Sequence, residues 1–253
     1  SAVKHVTGKA IYTDDISEPK NLLHAVIGYS NCSKGVIKKI DYKDVLSSEG
    51  VVDIITEKDI EGINDVGPIF KGDKIFTSKN IEYYGQPIFA VVAKTNNLAK
   101  KAALKVKIDL KISKPIVSIE EALKKKSFVL KPKYLTRGNI KDGFKRSDNF
   151  LKGKLYSGGQ DHFYLEGQIA MTIPQEDNNF LVYSSTQHPS ETQQIIGKVL
   201  KQNYNSIHVI VRRIGGGFGG KETQSFLFAA ITSIAAKKLS KPVKLRVDLS
   251  LIH

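Results

Sequence analysis

The stretch VRRIGGGFGGKETQSF, Val211 to Phe226, packs five glycines into the six positions from Gly215 to Gly220. Gly215, Gly217 and Gly220 fit the G-x-G-x-x-G spacing of a dinucleotide-binding loop, and Gly215, Gly220 and Lys221 fit most of a phosphate-binding loop. The second reading needs Ser or Thr directly after the lysine to hold Mg²⁺, yet Glu222 stands there. A carboxylate at that position repels phosphate oxygens. The first reading needs a ribose-binding acid about 20 residues on. Asp248 stands too far beyond Gly220 to serve, and the sequence ends at His253 before the rest of a doubly wound sheet could be built. The loop therefore reads as backbone held open for close approach to a ligand, because so many glycines cost conformational entropy that nothing else repays.

The surroundings of the loop are regular. SIHVIVRRI before it reads as a strand, ETQSFLFAAITSIAAKKL after it as a helix with Phe226, Ala229, Ala230, Ser233, Ile234 and Lys237 on one face, and KPVKLRVDL as the next strand. Upstream, NNFLVYSSTQ reads as a strand and PSETQQIIGKVLKQ as a helix capped by Ser190. The long stretch LYSGGQDHFYLEGQIAMTIP reads as strand as well. In the first hundred residues, LLHAVIGYS, GVVDIITE and QPIFAVVAK have the Val, Ile and aromatic content of buried strands. NNLAKKAALKVKIDL follows as an amphipathic helix with Asn96 or Asn97 as its cap and Leu98, Ala102, Ala103 and Val106 on one face, and SIEEALKKK as a shorter helix capped by Ser118. Residues 126–153 are polar, lysine-rich and broken by Pro132 and glycines, as a connector is.

Composition narrows the function. The 253 residues carry a net charge of +14, but only five of the 39 basic residues are Arg (137, 146, 212, 213 and 246), and the lysines are scattered along the chain. Nucleic-acid recognition favours clustered, Arg-rich surfaces, so no nucleic-acid partner is expected. No apolar run approaches the roughly 20 residues that cross a bilayer, so no membrane partner is expected either. The single cysteine, Cys32, forms no internal disulfide and fits a cytoplasmic protein.

Three blocks, SGGQDHFYLEGQIAMTIP (157–174), YSSTQHPSETQ (183–193) and VRRIGGGFGGKET (211–223), together with KHVTGKAIYTDDI (4–16) and YYGQPIFAVVA (83–93), resemble the molybdenum-binding subunit of molybdenum hydroxylases of the xanthine dehydrogenase branch. The likeness runs over essentially the whole chain. It implies an α+β fold: an α/β hammerhead domain over residues 1–112, a connector over 113–153, and over 154–253 the first part of a molybdopterin-binding α/β domain. It also implies hydroxylation of hypoxanthine or xanthine to urate with water-derived oxygen, electrons leaving through iron–sulfur clusters and FAD to NAD. Molybdopterin is the cofactor expected at this chain. The iron–sulfur clusters and FAD belong to a partner domain or subunit.

Carried over by motif, the resemblance assigns Gln187, Phe218 and Gly219 to the molybdenum cofactor, Glu222 to the purine, and supporting roles to Gly217 and Gly220. Gln160, His162 and Glu166 receive structural work near the site. Aldehyde-oxidising relatives tend to carry an apolar residue where Glu222 stands. The family's catalytic Glu, which acts as base, lies in sequence beyond His253. The chain is thus expected to be C-terminally truncated or one piece of a split subunit, inactive alone, with a separately encoded C-terminal half as its partner in the split case. A non-catalytic scaffold remnant is the competing reading.

Overall fold

The computed structural model describes residues 2–248. In chain order the elements are α1 (Ala2–Val6), β1 (Leu23–Tyr29), β2 (Gly35–Asp41), α2 (Lys43–Leu46), β3 (Val51–Ile55), β4 (Asn80–Ile81), β5 (Pro87–Ala93), α3 (Asn96–Ala103), β6 (Lys107–Ile112), α4 (Ile119–Lys124), α5 (Ile140–Lys145), β7 (Ile169–Pro174), β8 (Phe180–Ser184), α6 (Pro189–Leu200), β9 (Ile207–Ile210), α7 (Ser225–Leu239) and β10 (Val243–Arg246). The chain divides into two units. One takes residues 1–113 and 162–253; the other, residues 114–161, carries α4 and α5, neither of which has a buried residue.

The larger unit is built on a seven-stranded sheet ordered β3-β5-β1-β10-β7-β8-β9, beside a three-stranded sheet ordered β4-β2-β6. Strands from distant parts of the sequence alternate in the large sheet: β10 lies between β1, which it pairs in parallel, and β7, which it pairs antiparallel. All seven residues of β5 are buried, the continuous apolar run expected of a strand covered on both faces. Ala90 and Val92 join the core formed with α6 and α7. Phe89, Val91 and Ala93 join the second core, which contains Ala99 and Ala102 of α3.

Several sequence expectations are corrected by this packing. The cap of α3 is Thr95, whose hydroxyl accepts from Leu98 N at 3.3 Å, and Ala99 and Ala102 are its buried residues. Val106 lies past the end of the helix. For α6, Pro189 is the first helical residue and His188 stands at the cap, so the helix begins two residues earlier than a Ser190 cap implies; proline suits that position because its missing N–H has no intrahelical partner. Helix α7 is buried on more than one face, Ile231, Thr232, Ala235 and Ala236 being as inaccessible as the expected Phe226 and Ala229, since α6 flanks it while the sheet lies beneath. Only Ile169–Pro174 of the long stretch 155–174 is strand; residues 162–168 have no strand partner and run past the glycine loop instead. Ser118 does cap α4, accepting from Glu121 N at 3.2 Å.

The N-terminal segment is tied to β10 by charge. Lys244 Nζ lies 2.9 Å from both Asp14 Oδ1 and Glu18 Oε1, and its side chain is buried. Burial works to lower the pKa of Lys244, but its hydrogen bonds to Asp14 and Glu18 outweigh that and hold it above the ordinary lysine range. A raised folded-state value means that the native state binds more protons than the unfolded chain there, so the contribution is complete below the unfolded value near 10.4 and is lost as pH rises through the folded one. The stability difference between wild type and Lys244→Met, from urea unfolding at a series of pH values, is expected to shrink only above about pH 10. In the core, Phe226→Ala should cost about 3–5 kcal/mol by the same assay, against less than about 0.5 for Leu151→Ala at an exposed position.

Candidate functional site

The sheet directs two loops to one edge. Strands β8 and β9 are parallel neighbours, and the connections following them, residues 185–188 and 211–224, leave from the carboxyl ends where α/β sheets place ligands. The chain before β7 reaches the same edge, because β7 runs antiparallel to β8.

Gln187 joins the loops. Its backbone N–H donates to Lys221 O at 2.8 Å, and its side-chain Oε1 accepts from Gly219 N at 3.0 Å and Lys221 N at 3.3 Å. Two backbone donors on one atom identify that atom as the oxygen. The amide NH₂ is left without a hydrogen-bond partner among the described residues. The close approach depends on Gly217, where an added Cβ would lie 2.5 Å from Gln187 Oε1.

Phe218 is 75% exposed and sits at φ 52°, next to Gly219 at φ 90°. A left-handed conformation is unusual for an aromatic residue, and such strain concentrates at ligand sites. Glu222 is exposed, with Oε1 4.0 Å from His188 Nε2; His188 Nδ1 in turn lies 3.3 Å from Glu191 Oε2. Gly220 faces the other way, against the rings of Tyr164 and His162, where a Cβ would meet atoms at 2.7 and 2.9 Å. All six residues singled out from the motif thus lie on or against this one loop. His162 is exposed and outside any strand; its place is set by packing on Gly220. Gln160 belongs to the other unit.

Beneath the loop lies a network that the sequence did not disclose. Lys221 is completely buried. Its Nζ donates to Ser185 Oγ at 2.7 Å and to Glu166 Oε2 at 3.1 Å, and stands 4.7 Å from the centre of the Tyr164 ring, so each of its three donors has a destination. Burial pushes the Lys221 ammonium below the ordinary lysine range, and Glu166 opposes that shift. Gln168 Nε2 donates to Tyr164 Oη at 2.9 Å and Gly220 O at 2.8 Å. Thr186 and Ser225 hydroxyls both reach Lys221 O. The available signal for Lys221 was its place between Gly220 and Glu222; once the phosphate loop was rejected, a lysine there needed an anionic partner, and Glu166 lay in a neighbouring motif.

Comparison with known proteins bears on this geometry. A family model described as the aldehyde oxidase and xanthine dehydrogenase a/b hammerhead domain matches residues 7–114, and one described as a molybdopterin cofactor-binding domain matches residues 122–250. The chain belongs to the aldehyde oxidase and xanthine dehydrogenase family. It is 38% identical to a xanthine dehydrogenase of Dictyostelium discoideum, 40% to one of Oryza sativa and 38% to aldehyde oxidase 1 of Bos taurus, over 96–98% of its length; it spans 18% of each of these relatives. Its fold matches an aldehyde oxidoreductase from Desulfovibrio gigas with a TM-score of 0.84 and 26% identity, covering 98% of this chain and 29% of that one. A second, from Desulfovibrio desulfuricans, gives 0.85 and 25%, covering 99% and 30%. The expected family and its hammerhead and molybdopterin-binding folds are therefore correct. No helix among the described residues is long and apolar enough to cross a membrane.

The residues present fit a molybdopterin-type group. Among the described residues no cluster of His, Cys, Asp or Glu is placed to hold a metal ion. The family loop instead offers an amide donor and close backbone, which suits a group bearing acceptor oxygens. Gly217→Ala and Gly220→Ala should separate these two features. The first displaces only the end of the Gln187 side chain, so Gly219 and Lys221 amide resonances should shift while stability falls by less than about 1 kcal/mol. The second pushes on two rings, and a loss of about 1–3 kcal/mol is expected in urea unfolding.

Proposed function

We propose that this chain forms one wall of the molybdenum site in a purine-hydroxylating enzyme of its family. The observation carrying the proposal is the fixed Gln187 amide, whose oxygen is held by Gly219 N and Lys221 N and whose NH₂ keeps its donors for a ligand. In this reading Gln187 donates to an oxygen of the cofactor, Phe218 and Gly219 lie against the metal, and Gly217 and Gly220 allow the approach. Glu222 hydrogen-bonds the purine and stabilises charge developing on its ring in the transition state; its exposed carboxylate suits a heterocycle with polar edges better than a simple aldehyde. When bound, the molybdenum cofactor supplies the redox chemistry of the hydroxylation.

The remaining assignments belong to the same proposal. Iron–sulfur clusters and FAD reside on other domains or subunits and carry electrons towards NAD, and the base that removes a proton from substrate lies outside this chain. The working domain division is hammerhead over 1–112, connector over 113–153 and molybdopterin-binding part over 154–253, in a cytoplasmic enzyme.

The test is made in the assembled, molybdenum-loaded enzyme. Glu222→Ala should lower kcat/KM for xanthine by about 10²–10³-fold, the scale of losing one group that stabilises a transition state, with molybdenum content unchanged. Unchanged xanthine turnover would support the scaffold reading instead.

A further inference from the structure

Glu166 lies in a position that the resemblance leaves without a chemical task. Its carboxylate receives four hydrogen bonds. Oε1 accepts from Thr13 N at 3.1 Å, and Oε2 accepts from Gly215 N at 2.8 Å, Lys221 Nζ at 3.1 Å and the Ser185 hydroxyl. Its own N–H donates to Gly215 O at 3.2 Å. Three of these donors, the lysine ammonium among them, converge on Oε2, and the fourth reaches Oε1. The side chain is 8% exposed and its cationic partner not at all. The four donors come from separate parts of the chain: the N-terminal segment, the end of β8, and both ends of the glycine loop.

Thr13 belongs to the hammerhead region, whereas Gly215 and Lys221 bracket the loop that the proposed function places against the cofactor. A second tie runs alongside, Arg213 Nη1 donating to Ile11 O at 2.8 Å. The N-terminal segment is itself anchored through Asp14 and Glu18 to Lys244. We infer that Glu166 is a positioning residue that couples the N-terminal segment at Ile11–Thr13 to the glycine loop, so that the order of the loop depends on the hammerhead region. The inference rests on the proposed function only in calling that loop the cofactor wall; the coupling is a property of the chain alone.

Hydrogen exchange of backbone amides in the full chain, without cofactor, provides the test. Thr13→Pro removes the donor and replaces a buried side chain with one of similar size: Thr13 opens a 3-10 turn, where proline is favoured, and Tyr12 before it is already extended at φ −96°, ψ 178°, as a residue preceding proline should be. The expected result is exchange at Gly215 and Gly219 faster by about tenfold, with the amides of β5 unchanged. The single variant Lys221→Met leaves Glu166 charged and buried, and should speed loop exchange by on the order of 10²-fold while lowering global stability. The double variant Glu166→Met/Lys221→Met removes both charges, a change that commonly restores stability. Global stability should then recover towards wild type while Gly215 and the Thr13 amide, now lacking their acceptor, still exchange fast.

Two outcomes would overturn the inference: loop exchange unaffected by Thr13→Pro, or a double variant in which loop protection returns together with global stability. Either result leaves the Glu222 assay untouched, so the coupling and the proposed function fail separately.

Discussion

The glycine loop stands on a buried ion pair. Removing a lysine ammonium and a carboxylate from water costs several kcal/mol for each ion, and their attraction offsets this only when every remaining donor and acceptor is matched. Lys221 and Glu166 meet that condition: the ammonium has a carboxylate, a hydroxyl and an aromatic face, and the carboxylate has four donors. An apolar pair could fill the same volume at a smaller desolvation cost. What it could not do is accept hydrogen bonds from Gly215 and Thr13 while holding the residue next to Glu222. The pair therefore contributes geometry, and the flexible sequence around it becomes a shaped surface.

That constraint explains how so much glycine can be ordered. Gly217 lets Gln187 close on the loop, and Gly220 lets the loop settle on Tyr164 and His162, with Gln168 and the Thr186 and Ser225 hydroxyls binding its carbonyls from below. The ligand-facing side is left with few internal partners: the Gln187 NH₂, the exposed Phe218 ring and the Glu222 carboxylate. Saturated hydrogen bonding beneath and unspent capacity above are the division that a preorganised binding surface requires.

Much of this was legible in the sequence, for identifiable reasons. The strands β1, β3 and β5 and the unit β9, loop, α7, β10 were visible because apolar runs and helical spacing report burial directly. The motif residues were visible because five glycines in six positions cost more backbone entropy than a plain packing loop would justify. What escaped was set by contacts distant in sequence. Residues 162–168 have the composition of a strand but form no strand ladder, and their hydrogen bonds go instead to the glycine loop, Thr13, Ser185 and Val247. The two-sided burial of α7 depends on α6 packing beside it. Lys221 looks like any surface lysine until Glu166, Ser185 and Tyr164 are brought around it, and no local pattern marks Thr13 as a donor to Glu166.

The position of β10 has a consequence for how the molecule forms. Leu23 pairs with Val243, and Arg246 with Ile169, so the strand that unites the two halves of the large sheet is synthesised long after β1 and well after β7. Until it arrives, β1 and β7 each present an unpaired edge, the kind of surface that invites association between chains. Because so much of the sheet waits on pairing between distant parts of the sequence, collapse should be slow relative to a helical protein of similar size. The nascent chain thus spends its most vulnerable interval with its central seam open, and the completion of β10 both closes the sheet and brings Lys244 to the acidic groups of the N-terminal segment.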